Sequence, residues 1–124
     1  MKVIIDTHIL FWLLTQDTDK LTYKVLSTLE EAEEVILPTI VLLELLGLLL
    51  KKKQLEYFNI LLNQIPKSKY IVVPLDLAII KETRKIKDSF ELHDKVIVAT
   101  AKYLKLPIVT KDEEITEKYK DIIW

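Results

Sequence analysis

The sequence contains no cysteine, a single glycine and only two histidines. Without cysteine, the chain cannot form a disulfide scaffold, a zinc ribbon, an iron–sulfur cluster or a thiol nucleophile. The lone glycine, Gly47, excludes a G-x-G-x-x-G fingerprint and a Walker-type phosphate loop. His8 and His93 are too few for a three-histidine metal site, and no serine stands in a G-x-S-x-G setting. Several large classes of enzyme are therefore excluded.

Neither sign of charge dominates the chain. It carries 18 Lys and Arg residues against 19 Asp and Glu, a formal net charge of −1, so wholesale electrostatic coating of nucleic acid is not expected. Half of its 124 residues are hydrophobic, which is enough to build a core, and this length predicts one domain over residues 1–124. Carboxylates remain in quantity, so an enzyme of this composition would use Asp and Glu, together with a hard cation.

No segment has the pattern of a signal peptide or of a membrane span. The chain reaches Asp6 before an apolar signal-peptide core can form. The apolar run at residues 35–50 is interrupted by Pro38 and Glu44, and it is shorter than the ~20 residues that a membrane-spanning helix needs. We therefore predict a cytoplasmic protein without membrane association.

Short β-rich apolar runs alternate with longer runs of helical periodicity. Strands are predicted at residues 2–5, 35–37, 70–73 and 107–109, with a fifth at 122–124. Helices are predicted from residue 7 to 14 and at 21–33, 39–53, 55–65, 75–87, 92–104 and 112–120, with Pro38 in the first turn of the third. This alternation predicts an α/β sandwich around a mostly parallel sheet of four to five strands. In such sheets, ligands bind at the carboxyl ends of the strands.

Two acidic residues are predicted at that edge of the sheet. Asp6 directly follows the first strand, and Asp112 follows the strand at 107–109 after two intervening residues. Either residue alone could simply be the N-cap of the helix that comes next, a position that Asp favours. Because N-caps need not converge, the capping explanation is weaker for the two together.

Glu44 lies inside an apolar helical run, and Asp94 lies at the start of another. Glu44 has Ile40 and Leu48 four residues away on either side, and an unpaired carboxylate is costly to bury among such neighbours. It would be unremarkable if that face were exposed to solvent, but a charge on an apolar face usually has a partner or a metal. Asp94 opens a helix, where an acid also complements the helix dipole.

Together these four acids could form one acidic pocket. Carboxylates packed closely repel and raise one another's pKa values unless a cation neutralises them. Oxygen ligands suit Mg²⁺ or Mn²⁺, which also bind phosphate. The matching chemistry is metal-assisted hydrolysis of a phosphodiester bond.

The motifs around these acids resemble the PIN domain, and most closely the small VapC-type toxins of prokaryotic toxin–antitoxin pairs. They are Asp6-Thr7-His8 after the first strand, Glu44 in the third helix, His93-Asp94 before an apolar helix, and Thr110-Lys111-Asp112. Any one of them is a weak signal, but the four occur in the expected order over nearly the whole chain. The resemblance implies a PIN-like three-layer α/β/α sandwich.

The resemblance also implies roles for individual residues. Asp6, Glu44, Asp94 and Asp112 would form the catalytic quartet that holds Mg²⁺ or Mn²⁺, and the hydroxyls of Thr7 and Thr110 would brace the ligands. Family members are typically RNA endonucleases, often homodimers, and a cognate antitoxin inhibits them. We therefore expect an endoribonuclease with an RNA substrate, a probable antitoxin partner and a homodimeric state.

Several alternatives stay open at this point. The chain could be a PIN-fold RNA-processing nuclease without an antitoxin, or a non-catalytic module whose acidic groove docks a basic partner. A fifth acid could come from Glu113 or Glu114, although solvent exposure is the simpler role for both. His8 and His93 each adjoin a quartet acid, and packing or hydrogen bonding explains them best. Asp76 also follows a strand, but a helix N-terminal position accounts for it.

The third predicted helix is unusually rich in leucine. Its leucines cover most of the helix circumference, at positions 42, 43, 45, 46, 48, 49 and 50. A domain of this size can scarcely bury every face of such a helix. We therefore predict that one face contacts a second copy of the chain or an antitoxin.

Overall fold

The computed structural model describes residues 1–87 and 89–124, and its centre is a sheet of five parallel strands. The strands lie in the order β3-β2-β1-β4-β5. Their bounds are β1 (Lys2–Ile5), β2 (Glu34–Pro38), β3 (Tyr70–Val73), β4 (Ile108–Val109) and β5 (Ile122–Ile123). All four pairings between neighbours are parallel, which confirms the predicted sheet.

Seven α-helices connect and flank these strands in the part of the chain that the structure describes. They are α1 (Thr7–Leu14), α2 (Tyr23–Glu31), α3 (Thr39–Lys51), α4 (Leu55–Gln64), α5 (Leu77–Arg84), α6 (Leu92–Leu104) and α7 (Glu113–Lys118). Short 3₁₀ turns occupy Thr18–Lys20 and Ile65–Lys67. Each strand except the last is thus followed by helix, as the alternating pattern predicts.

Helices cover both faces of the central strand. Val3, Ile4 and Ile5 of β1 are all fully buried, although successive side chains on a strand point to opposite faces. A parallel strand buried on both faces reads as a continuous apolar run, and KVII is such a run. The predicted three-layer α/β/α sandwich is therefore confirmed.

Helix α3 carries one buried stripe and one exposed face. Val41, Leu45 and Leu49 recur every four residues and are fully buried, so they anchor the helix to the core. On the other side, Leu43 is 61% exposed and Leu50 is 54% exposed. The leucine-rich run is therefore only partly used by the internal core of this chain.

The structure corrects the predicted role of Pro38. The sequence predicts that the second strand ends at residue 37 and that Pro38 lies in the first turn of the next helix. Instead it is the last residue of β2, paired in register with Val73, and its ψ of 141° keeps the backbone extended. The missing N–H of proline is tolerated because the strand ends there, and α3 begins one residue later, at Thr39.

Other differences are small shifts at the ends of strands and helices; strand β4, for example, begins at residue 108 rather than 107. Helix α2 begins at Tyr23 rather than at residue 21 because the hydroxyl of Thr22 accepts a hydrogen bond from the Val25 N–H, at 3.1 Å. Helix α5 begins at Leu77 for the same reason, with Asp76 as its cap, and ends at Arg84. Asp112 caps α7 rather than lying inside it.

The long apolar run at residues 35–50 is divided between β2 and α3. Across residues 1–87 and 89–124, every helix is too short or too polar to cross a bilayer.

Candidate active site

Four acidic side chains come together at the carboxyl edge of the sheet. Asp6 follows β1, and Asp112 lies just beyond β4, whose Val109 pairs with Ile5 of β1. Helix α3 brings Glu44, and the first turn of α6 brings Asp94. These four residues line one pocket of about 330 Å³ together with Thr7, His8, Leu48 and Glu91. All four acids that the sequence singled out are thus close together.

Asp6 lies at the buried floor of this pocket, with both of its carboxylate oxygens held by hydrogen bonds. The Thr7 N–H donates to Oδ1 at 2.6 Å, and the Thr110 hydroxyl donates to Oδ2 at 2.7 Å. Thr110 in turn accepts a hydrogen bond from the Asp112 N–H at 3.0 Å. Thr110 therefore fixes the relative positions of Asp6 and Asp112, which lie near opposite ends of the chain.

Glu44 is held from two sides. The Thr7 hydroxyl donates to its Oε1 at 2.9 Å, and Nδ1 of His93 lies 3.4 Å from its Oε2. The same His93 nitrogen lies 3.1 Å from Oε1 of Glu91. His93 therefore bridges two carboxylates that come from different elements, and it couples α3 to the start of α6.

Glu91 is the one acid of the pocket that the sequence reasoning missed. It is the N-cap of α6, where its Oε2 accepts a hydrogen bond from the Asp94 N–H at 3.2 Å. Glutamate is not a favoured N-cap residue. The local signal that could have identified it is its position three residues before Asp94, which places the two acids on the same helical turn.

Crowding of negative charge changes the proton affinity of these acids. Burial, followed by repulsion from the neighbouring carboxylates of Asp112 and Asp6, raises the pKa of Asp94 to about 7. Burial also raises the pKa of Asp6, against the opposing effect of its hydrogen bond from Thr110. It raises the pKa of Glu44 in the same way, although Thr7 and His93 oppose the shift. The pocket therefore favours any ligand that brings positive charge.

The donor set fits a hard divalent cation. The pocket offers carboxylate oxygens, which Mg²⁺ and Mn²⁺ prefer, and it is lined by several acids whose repulsion a cation would relieve. One carboxylate oxygen each from Asp94, Asp112 and Glu114 lies within 4.8 Å of the other two. Of the two candidates for a fifth acid, Glu114 therefore lies nearer the quartet, whereas Glu113 lines a separate groove beside Trp124.

Asp76 lies outside the pocket, as predicted. Its Oδ1 accepts a hydrogen bond from the Ile79 N–H at 3.1 Å, which is the N-cap contact of α5. Asp112 makes the same contact with the Ile115 N–H, also at 3.1 Å, but it additionally faces the acidic pocket. The capping explanation is thus correct for Asp76 and for Asp112, and of these two only Asp112 also lines the acidic pocket.

Comparison with known proteins agrees with this geometry. The PIN domain family model matches residues 3–121 of the chain. No curated protein matches the chain closely in sequence.

Solved structures with the same fold come from toxin–antitoxin systems. One is a toxin–antitoxin complex from Klebsiella pneumoniae, with 17% identity, a TM-score of 0.73 and coverage of 98% of this chain and 96% of that chain. Another is VapBC2 from Rickettsia felis bound to a DNA fragment from the promoter, with 14% identity, a TM-score of 0.75 and coverage of 99% and 96%. A third is Mycobacterium tuberculosis VapC20, a toxin that cleaves the sarcin–ricin loop, with 14% identity, a TM-score of 0.69 and 94% coverage of both chains.

Proposed function

The chain belongs to the PIN-domain family, and on this basis we propose that it is a divalent-metal-dependent endoribonuclease, the toxin of a type II toxin–antitoxin pair. The observation that carries the proposal is the convergence of Asp6, Glu44, Asp94 and Asp112 in one pocket. Such a concentration of carboxylates, with the pKa of Asp94 raised to about 7, is unfavourable without a cation.

In this proposal, Asp6, Glu44, Asp94 and Asp112 hold Mg²⁺ or Mn²⁺. A cation held there would polarise the phosphoryl oxygens, lower the pKa of the attacking water and stabilise the leaving oxygen. The chain's own residues supply alignment. Thr110 orients the Asp6 carboxylate, and Thr7 orients Glu44, so that each keeps a fixed geometry when the phosphate arrives.

His93 and Glu91 support the same arrangement from α6. Because Nδ1 of His93 lies within 3.4 Å of both Glu44 and Glu91, it separates two carboxylates that would otherwise repel each other across the pocket. Glu91 also holds the first turn of α6 through the Asp94 N–H, which fixes the backbone from which Asp94 projects. In this proposal, His93 and Glu91 orient the carboxylates that bind the metal and do not touch the substrate.

The partners in this proposal are RNA, an antitoxin protein and a second copy of the chain. Support for the antitoxin comes from the structural relatives, which are toxin–antitoxin assemblies. Support for an RNA substrate comes from the acidic pocket and from the relative whose name describes cleavage of an RNA loop. We place the reaction in the cytoplasm, within a single domain of residues 1–124.

Cleavage of labelled RNA by the purified protein tests the reaction. Structured and unstructured RNAs are incubated with Mg²⁺, with Mn²⁺ or with EDTA, beside the Asp94→Asn variant. We expect cutting that requires the metal, and a loss of more than about 100-fold in the variant, since even partners outside the ligand shell typically contribute 10- to 100-fold. Full activity in Asp94→Asn would show that the quartet assignment is wrong.

Thermal unfolding with and without metal separates the remaining outcomes. A ligand that binds only the folded state adds about 2.7 kcal/mol at a concentration one hundred times its Kd. A metal-induced rise in melting temperature without cutting would indicate an intact metal site and an unsuitable RNA. Neither cutting nor a rise would favour the non-catalytic module that docks a basic partner.

A further inference from the structure

The exposed side of α1 carries a row of aromatic and basic side chains. The ring of His8 lies 5.8 Å from the ring of Trp12, centroid to centroid, and the two planes are tilted by 49°. Nζ of Lys20 lies 5.8 Å from the centroid of the Trp12 ring. His8 is exposed, whereas Trp12 packs partly against the core and leaves the rest of its side chain at the surface. We call these three residues the α1 track.

The α1 track begins inside the acidic pocket. His8 lines the pocket together with Asp6, Glu44 and Asp94. Trp12 lies one helical turn further along α1, and Lys20 follows from the 3₁₀ turn after that helix. The hydrogen bond from the Asp17 N–H to the Trp12 carbonyl, at 2.8 Å, holds this turn against the end of α1. A strand leaving the pocket over α1 would therefore meet the three side chains in order.

These side chains are the types that hold single-stranded nucleic acid. Bases stack on aromatic rings whatever their sequence, and a nearby cation attracts the backbone phosphate. The Lys20 side chain is 54% exposed and its ion pair with Asp17, at 3.0 Å, is near the surface, so its ammonium group can turn toward a phosphate. Among the residues that line the acidic pocket, His8 is the one that carries a ring for stacking.

We propose that the α1 track binds, by stacking on His8 and Trp12 and by a phosphate contact with Lys20, the nucleotides of a single-stranded RNA that adjoin the bond to be cut. The proposal rests on the proposed nuclease function and deepens it, because it states which face of the acidic pocket the RNA crosses. It also limits the substrate to RNA whose bases are unpaired beside the cleavage point.

The second tryptophan provides a matched control. Trp124 also lies under a lysine, with Nζ of Lys111 at 5.7 Å from its ring centroid. Its groove, however, is lined by Glu113 and Glu117, which repel phosphate, whereas Trp12 stacks beside His8, which lines the acidic pocket. We therefore expect bound RNA to contact Trp12 and to leave the fluorescence of Trp124 unchanged.

Two single-tryptophan proteins test this difference, both in the non-cutting Asp94→Asn background with Mg²⁺. The Trp124→Phe protein keeps only Trp12, and the Trp12→Phe protein keeps only Trp124. Each is titrated with a short unstructured RNA while its tryptophan fluorescence is recorded, and binding is followed in parallel by the anisotropy of a labelled copy of that RNA. We expect quenching in the Trp124→Phe protein alone.

Affinity measurements add a second readout in the same background. Trp12→Leu keeps an apolar side chain against the core but removes the stacking surface, so we expect RNA binding about 10- to 100-fold weaker. Lys20→Gln should weaken binding and reduce the slope of log K against log salt by about 0.7, the value for one phosphate contact on a single strand. A side chain that only stabilised the fold would leave this slope unchanged.

The outcomes separate this proposal from the proposed function. Bound RNA that leaves Trp12 fluorescence unchanged, or that quenches Trp124 instead, would overturn the track even if the wild-type protein cleaves RNA. Absence of any RNA binding would overturn it as well. Quenching of Trp12 by an RNA that the wild-type protein does not cut would support RNA binding along α1, and it would count against the nuclease only if metal also failed to raise the melting temperature.

Discussion

At the scale of single residues, repulsion among the carboxylates of the acidic pocket lowers the stability of the metal-free protein. The same repulsion favours binding of a cation. Asp94 shows this most clearly, because burial and repulsion from other carboxylates raise its pKa to about 7. Near neutral pH, the folded protein therefore holds a proton on part of its Asp94 side chains that an unfolded chain would have released. A cation would favour the ionised form and displace that proton.

We predict that Asp94→Asn raises the melting temperature of the metal-free protein. Asparagine keeps the size of the side chain and leaves the Asp94 N–H bond to Glu91 in place, but it removes one of the repelling charges. The same change should reduce the stabilisation that Mg²⁺ or Mn²⁺ gives, because the other three acids of the pocket remain. Calorimetry in EDTA and in excess metal measures both effects. A lower melting temperature in EDTA would show that repulsion does not dominate at this position.

The stability of the metal-free protein should also fall as the pH rises. A carboxyl whose pKa is raised on folding binds protons more tightly in the folded state, so stability decreases from its ordinary pKa up to the folded value. For Asp94 that interval ends near pH 7, and the raised pKa values of Asp6 and Glu44 act in the same direction. We expect a higher melting temperature at pH 6 than at pH 8 in EDTA.

Saturating Mg²⁺ should abolish this decrease between pH 6 and pH 8, because the metal-bound carboxylates are ionised, as they are in the unfolded chain. Protons compete with the cation for the carboxylates, so metal-induced stabilisation grows as the pH rises. Asp94→Asn, which lacks the titrating group with the largest shift, should flatten the curve in EDTA. An unchanged curve in that variant would assign the effect to other acids.

At the scale of elements, two helices begin with the same capping contact, but the two capping residues have different roles. Asp76 at the start of α5 and Asp112 at the start of α7 each accept a hydrogen bond from the N–H three residues on, at 3.1 Å. Only Asp112 also lines the acidic pocket. The pair therefore allows capping and chemistry to be separated within one chain.

We predict that asparagine replaces aspartate as a helix cap at both positions but does not replace the carboxylate of Asp112 in the proposed active site. Because Asn caps helices as well as Asp does, neither Asp76→Asn nor Asp112→Asn should lower the free energy of unfolding, and Asp112→Asn should raise it in EDTA by relieving the repulsion on Asp94. Cleavage of RNA should be retained in Asp76→Asn and lost by more than about 100-fold in Asp112→Asn. Parallel assays of urea unfolding and of RNA cleavage make the comparison.

Alanine provides the complementary test of the caps. Asp76→Ala removes the cap without touching the pocket and should cost about 1 kcal/mol of stability, with cleavage preserved. A loss of activity in Asp76→Ala at temperatures where the protein stays folded would contradict a purely structural role for this residue.

Local signals were sufficient for the positions of most elements and of the four acids. Strands and helices differ in period, and parallel strands share their direction, so acids that follow strands meet at one edge. Glu44 was identifiable because a charge interrupts an apolar run. Bounds were less accurate where a cap or a proline decides them, as at Thr22 and Pro38.

What the sequence could not provide are contacts between elements distant along the chain. The bridge from His93 to Glu44 and Glu91 depends on how α6 packs against α3. Likewise, β3 reads as a buried strand, yet Ile71 and Val72 are exposed because topology puts the strand at an edge of the sheet. Such features follow from the assembled fold and have no local pattern.

At the scale of the whole molecule, an apolar surface is left uncovered between α3, α5 and α6. Two shallow grooves form it, and both are lined by Ile40 and Leu75. Leu43 lies in one and Ile80 in the other, and each is at least half exposed. An apolar surface of this kind usually marks an interface. It continues the exposed face of the leucine-rich α3, where a contact with a second copy or an antitoxin was predicted.

We expect the double variant Leu43→Glu and Ile80→Glu to convert a homodimer into monomers. In a twofold interface, each substitution appears on both copies, so four carboxylates would be brought into apolar surroundings and would repel one another. Both positions are exposed, so the free energy of unfolding of the monomer should change by only about 0.5 kcal/mol.

Tyr23→Glu, on the highly exposed surface of α2, is the matched control and should remain dimeric. Sedimentation equilibrium measures the mass of each protein. A wild-type protein that is monomeric at all concentrations would leave the antitoxin as the partner for this surface, whereas a double variant that stays dimeric would place the interface elsewhere.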